Sequence, residues 1–173
     1  LEPCTDSVGG INKVYFINNG DLGTIGYNVT DTDMIDSIDT TTAVYQFDVR
    51  GASTYTETPT KSRENGTAYF EQVLELQLPK LTKEDHKTIK LLTYQSPHVI
   101  VEDNNGNKLL AGLEYGMDVT GGSIATGGAM GDMSGYTLTF TGMEKVPANF
   151  LLEVQGGAEA AIADVGFTIV SGV

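Results

Sequence analysis

Few residues in this chain could do chemistry: two histidines, one cysteine and a spread of carboxylates among 173 residues. His86 falls among charged residues and has no histidine or carboxylate at a zinc-ligand spacing, so it reads as an exposed helix position. His98 follows Pro97 at the head of an apolar run and reads as a satisfied surface or edge histidine. Cys4 has no partner for an intramolecular disulfide, which fits a reducing compartment or a particle assembled inside a cell. Leu1-Glu2-Pro3-Cys4 has the spacing of a lipoprotein cleavage site, but Glu and Pro stand where small residues are required. Gly122-Ser123 continues into Ile124 and Ala125, which is not the G-x-S-x-G elbow of a hydrolase.

Four further patterns meet the same test. Gly121 to Gly135 reads GGSIATGGAMGDMSG, glycine-rich enough for a phosphate cradle. It lacks the Gly-Lys-Ser/Thr ending that sets a cation on the phosphates, and Asp132 would repel them, so a flexible or bulged β-loop is expected. Asp31, Asp33, Asp36 and Asp39 have carboxylates enough for calcium but neither the turn glycine nor the closing glutamate of an EF-hand loop, and Met34, Ile35 and Ile38 interrupt them. A solvated acidic loop is expected there. Asn28-Val29-Thr30 and Asn65-Gly66-Thr67 match the glycosylation sequon, as chance allows in a chain rich in Asn and Thr. Glu71 and Glu75 share the polar face of one predicted strand, a spacing as ordinary for a solvated face as for an acid–base pair. No catalytic residue, metal or cofactor is expected, and the chain does not read as an enzyme.

Charge excludes another class. The net charge is −13, and residues 1–60, 61–109 and 110–173 contribute −7, 0 and −6. Proteins that grip a duplex neutralise phosphates with Lys and Arg, so this chain is not built to grip nucleic acid, which leaves open that nucleic acid passes it. No run of about 18 apolar residues is present for a membrane span. Hydrophobic residues make up 40% of the chain, enough for a core, and 21 glycines make loops abundant.

The elements that must position these residues are most legible from Ala43 to Leu113. In Ala43–Arg50, Tyr45, Phe47 and Val49 alternate with Gln46, Asp48 and Arg50, as a half-buried strand requires. A long loop, Gly51–Gly66, is expected next. From Thr67 to Leu78, Phe70, Leu74, Leu76 and Leu78 take one face, with Tyr69, Glu71, Val73, Glu75 and Gln77 on the other. Pro79 stops that ladder, and Thr82 with Asp85 forms a capping box for a helix from about Lys83 to Tyr94. Leu81, Ile89 and Leu92 share its buried stripe, while Lys83, Lys87 and Lys90 face solvent. His98–Asp103 and Lys108–Leu113 flank Asn105-Gly106, which predicts a hairpin with a type I′ turn.

The order of strand, long loop, strand, Pro, capped helix, hairpin, Gly-rich loop and strand resembles the tail tube proteins of tailed bacteriophages and the related tube protein of type VI secretion. The segments that carry the resemblance are Val44–Val49, Ala68–Leu78, Thr82–Tyr94, Val99-Ile-Val-Glu-Asp-Asn-Asn-Gly106, and Gly135-Tyr-Thr-Leu-Thr-Phe-Thr-Gly142 followed by Glu144 and Pro147. They cover somewhat under half the chain. Leu113-Glu-Tyr-Gly-Met-Asp-Val-Thr-Gly121 and Thr126-Gly-Gly look similar to virion proteins of phages infecting Bacteroidetes.

The resemblance implies a mainly β fold, a β-sandwich or partly closed barrel with one flanking α-helix. The length of the chain fits a single domain over 1–173, and assembly arms are expected at 1–12 and 155–173. Partners would be copies of the chain in hexameric rings stacked into a tube, together with other tail or connector proteins. DNA would pass without specific binding, no membrane would be involved, and the site of action would be the virion tail after assembly in the host cytoplasm. By position, Thr54, Tyr55, Pro59, Lys61 and Arg63 in the Gly51–Gly66 loop would contact the next ring, and Glu71 and Glu75 would face the lumen. The long Gly121–Gly135 loop and the segment from Gln155 depart from the family and leave a terminator or connector ring open. The rival class is a monomeric β-sandwich binding module or surface adhesin; such modules place exposed aromatics together, whereas Tyr55, Tyr94, Tyr115 and Tyr136 are dispersed in sequence.

Overall fold

Val14-Tyr15-Phe16-Ile17 and His98-Val99-Ile100-Val101 are buried at every position. A strand covered on both faces shows that pattern. The two runs pair antiparallel, Phe16 opposite Val99, at the centre of the larger of two sheets. The computed structural model describes residues 7–40, 44–49, 52–79, 83–151 and 169–171, with side chains except at 39, 40, 84, 85 and 169–171. Among these lie strands β1 Ile11–Ile17, β2 Leu22–Tyr27, β3 Met34–Thr40, β4 Val44–Asp48, β5 Thr54–Ser62 and β6 Thr67–Pro79. Helix α1 Lys83–Tyr94 follows, then β7 His98–Asp103, β8 Lys108–Ala111, β9 Asp118–Ala125, β10 Gly135–Glu144, β11 Asn149–Leu151 and β12 Ile169–Ser171.

Eight strands form a curled sheet in the order β12-β4-β1-β7-β8-β11-β3-β2, and four form a second sheet in the order β5-β6-β10-β9. The larger core cluster lies between them. Val14, Phe16, Phe47, Val49, Val99 and Val101 of the curled sheet meet Leu74, Leu76, Tyr136, Leu138 and Phe140 of the second, and Ile89 and Leu92 of α1 close one side. The Phe16 ring stands 5.3 Å from Phe140 and 5.6 Å, edge on, from Phe47. The intervening residues of the same strands, Tyr15, Ile17, Val44, Ile100 and Leu110, point the other way and join Ile35 and Ile38 in a second cluster inside the curl. The fold is therefore mainly β, a sandwich in which one sheet is a half-barrel, with one flanking helix. Buried Gln72 fits this core because its Oε1 accepts the backbone N–H of Gly112 at 2.9 Å.

The strand pattern of β4 and β6 and the helix bounds match the sequence reading, and Lys83, Lys87 and Lys90 are exposed as expected. Leu81 and the Thr82–Asp85 capping box, like Cys4, lie outside the described residues. Several expectations need correction. Gly51–Gly66 is not a long loop: Thr54–Ser62 is strand β5, paired antiparallel with β6 from Thr54–Glu75 to Ser62–Thr67. Within Gly121–Gly135, residues as far as Ala125 belong to β9, and the connection shortens to 126–134. The acidic Asp31–Asp39 segment is strand from Met34 onward. Ile35 and Ile38 both reach the core although three apart, because the β2–β3 register slips between Gly26 and Tyr27 and leaves Asp36 as an extra residue. Of the segments expected as assembly arms, 1–12 runs into β1 at buried Ile11, and within 155–173 Ile169–Ser171 pairs in parallel with β4 of the same chain; both placements are compatible with contacts to other copies. His98 is buried rather than superficial, its Nδ1 against the Gly112 carbonyl.

The Asn105-Gly106 hairpin also differs in detail. Asp103 N–H donates to Asn107 O and Gly106 N–H to Asp103 O, so the loop holds three residues, with Gly106 at φ 87°. This is a three-residue turn ending in a left-handed glycine rather than a two-residue type I′ turn. The Asp103 carboxylate selects it by accepting the N–H groups of Asn105 and Asn107, both at 2.8 Å, and their side-chain amides. Partial burial alone would raise the Asp103 pKa, but the bonds from Asn107 and Asn105 outweigh it and hold the carboxyl below its ordinary 3.8. A depressed carboxyl stabilises the fold in full above its unfolded value and loses that contribution as pH falls through the folded value. Asp103→Asn is therefore expected to unfold at lower denaturant than wild type at pH 7, with the gap closing as pH drops below about 4. A gap constant from pH 7 to pH 2 would contradict this.

Candidate functional site

The second sheet buries one face and exposes the other. Alternation and register place Thr54, Thr56, Thr58, Thr60 and Ser62 of β5 on the exposed face, opposite Glu75, Val73, Glu71, Tyr69 and Thr67 of β6. Across β6 on the other side stand Thr137, Thr139, Thr141 and Met143 of β10. Thr120 of β9 joins the same face, its Oγ1 2.9 Å from that of Thr141. The face is a field of hydroxyls crossed by three carboxylates, Glu71, Glu75 and, opposite Thr141, Asp118, and no Lys or Arg stands on it among the described residues.

Glu71 and Glu75 lie where alternation places them, on one face of one strand. Four residues of extended chain separate them by roughly 14 Å, too far to share a proton, so acid–base chemistry is not what this spacing supports. Each has threonine as a cross-strand neighbour, Thr58 beside Glu71 and Thr54 and Thr139 flanking Glu75. No cation on this face stands beside either of them among the described residues.

The five residues expected to touch a neighbouring ring do not form one patch. Thr54 sits on the exposed face beside Glu75, while Tyr55 turns inward onto the larger core cluster. Burial, reinforced by the adjacent Glu57, pushes the Tyr55 hydroxyl well above its ordinary pKa and keeps it protonated. Pro59 occupies the outer strand β5, where a missing N–H costs no ladder bond if it points outward. Lys61 and Arg63 lie at the far end, at the β5–β6 turn, roughly 27 Å along the strand from Thr54. That turn projects: β10 ends opposite Phe70, and the β5–β6 ladder runs on to Ser62–Thr67.

The remaining candidates are structural. Asn28 Oδ1 accepts the N–H of Thr30 and Asp31, Asp31 Oδ1 accepts that of Asp33, and Asn28 Nδ2 donates to Asp36. These side chains shape a turn, and no group of three or more His, Cys, Asp or Glu able to hold a metal occurs among the described residues. His86 is exposed, with Tyr136 Oη 3.4 Å from its Nδ1. Glu144, to which the sequence reading gave no structural role, is buried, and its Oε1 accepts the N–H groups of Glu114 and Tyr115 at 3.0 and 2.9 Å, fixing the loop before β9. Only its place in a polar-ended strand could have signalled that role. Beside it Lys145 pairs with Glu114 at 2.8 Å and lies 5.3 Å over the Tyr115 ring. Of the four tyrosines weighed as an aromatic platform, Tyr136 is buried and Tyr55 half-buried, while Tyr94 and Tyr115 are exposed on a helix end and a loop.

No protein-family model, curated protein or solved structure matches the chain. No described helix is long and apolar enough to cross a membrane.

Proposed function

We propose that this chain is a structural virion protein whose copies close into rings, hexameric by the family resemblance, and stack into a phage tail tube with an acidic lumen. The observation that carries the reading is the exposed face of the second sheet, rich in hydroxyls, bearing Glu71 and Glu75 and lacking cations. A wall along which a polyanion slides needs those properties, because fixed Lys or Arg would pair with phosphates and release counterions, holding the duplex in place. Tail or connector proteins would be the other partners, and the protein would act in the virion tail without catalysis.

The edges of the same sheet support ring closure. β5 and β9 are its outer strands, and each carries backbone groups that a neighbouring copy can pair. Joining β5 of one copy to β9 of the next is a head-to-tail contact, which closes when the rotation permits. Six copies of a four-stranded sheet at roughly 4.8 Å per strand make a barrel about 37 Å across between backbones, before strand tilt widens it. Sedimentation velocity at rising protein concentration and several salt concentrations tests the reading. Ring-sized or larger species are expected. A monodisperse monomer under all conditions would overturn it and favour a monomeric binding module.

A further inference from the structure

The two ends of the second sheet differ. Gly135 pairs with Pro79 at one end, and Glu144 with Phe70 at the other. The projecting β5–β6 turn and the β9–β10 loop, 126–134, are therefore at opposite ends of one rigid ladder. Across the four strands and these two connections, Lys61 and Arg63 are the only cations, and both are at the β5–β6 turn. With Glu64 beside them the turn carries a net charge of +1, a local reversal of sign in a chain of charge −13.

The opposite end has the complementary chemistry. Asp132 is the single charge of the 126–134 loop. Its Oδ2 accepts the N–H groups of Gly128 at 2.9 Å and Ala129 at 2.7 Å, and Oδ1 takes part in neither bond. Those bonds, first from Ala129 and then from Gly128, hold the carboxyl below its ordinary range, so it is ionised at neutral pH. Beside it Met130 is fully exposed and Met133 is 40% exposed, an unbranched, adaptable surface against which the aliphatic stem of an arginine can lie.

We propose that the β9–β10 loop is the acceptor for the β5–β6 turn of a second copy of this chain, Arg63 meeting Asp132 and Met130, so that copies join head to tail along the strand direction. Because donor and acceptor sit at opposite ends of one body, the contact repeats without limit instead of closing on itself. It deepens the tube reading by naming the partner surface of the inter-ring contact, and rests on that reading for its axial direction.

Cross-linking of two cysteine variants tests it, with Cys4→Ser in both. One population carries Asn65→Cys at the exposed turn, the other Met130→Cys, and both are oxidised alone and mixed. A disulfide dimer in the mixture, absent from either population alone, is expected. Arg63→Glu or Asp132→Asn should each lower its yield about two- to fivefold, the upper range for losing an exposed charge pair, and added salt should lower it in the unsubstituted pair. A mixture no more cross-linked than the separate populations, or a yield indifferent to both substitutions, overturns the proposal. Sedimentation of the same samples separates the two readings: rings without this cross-link leave the ring reading and remove the inference, and the cross-link without rings does the reverse.

Discussion

Tubes carrying Glu71→Lys and Glu75→Lys together are expected to assemble but to retain DNA, or eject it more slowly, at low salt. The substitutions change each subunit by +4, hence a six-membered ring by +24, and set cations on a face that otherwise has none. Folding should survive. The cross-strand neighbours of both sites are uncharged, and the two carboxylates are separated by more than a Debye length of roughly 8 Å, so stability should move by no more than about 0.5 kcal/mol. Attraction to phosphate made this way weakens steeply as salt rises. Retention should therefore vanish at high salt, where a blockage caused by misassembly would persist. Unchanged ejection from intact tubes at low salt would show that this face does not line the channel.

Phe140→Ala should have the largest effect on stability. Phe140 is fully buried on β10 and meets Phe16 across the gap between the sheets, and Phe16 in turn meets Phe47. Removing a ring there leaves a cavity that strands pinned on both sides cannot collapse, a loss of about 3–5 kcal/mol. For a domain of this size that lowers Tm by roughly 10 °C. Phe70→Ala, at a half-buried position near the end of the same ladder, should cost less than half as much. Equal costs at the two sites, measured by denaturant midpoints, would contradict the assignment of the inter-sheet core.

The contrast between β6 and β5 shows what the sequence carries. Leu74, Leu76 and Leu78 alternate with polar residues and Pro79 ends the run, so β6 is legible from hydrophobic period alone. Its neighbour β5 has Thr54, Thr56, Thr58 and Thr60 on one face and Tyr55, Glu57, Pro59 and Lys61 on the other, with little hydrophobic contrast between them. The surviving signal is a β-branched residue at every second position, and Pro59 argues against a strand unless it is an outer one. In β9, Gly121 and Gly122 suggest a loop; pairing with β10 makes a strand, and Gly122 sits where a Cβ would crowd the Thr137 carbonyl. The Ile35–Ile38 spacing hides β3, because a bulge breaks the period.

The site divides the same way. That Glu71 and Glu75 share a polar face follows from alternation within one strand. That threonines of β5, β9 and β10 complete a face without cations does not, since it depends on pairing between segments as distant as Thr56 and Thr139. The opposed placement of Arg63 and Asp132 is likewise a property of register.

Electron microscopy of the concentrated protein, carried to a reconstruction of whatever assembles, tests the central claim most directly. The expected result is hollow rings or tubes with the second sheet innermost and Glu71 and Glu75 directed at the axis. Solid particles, dispersed monomers, or a lumen lined by the curled sheet would contradict it.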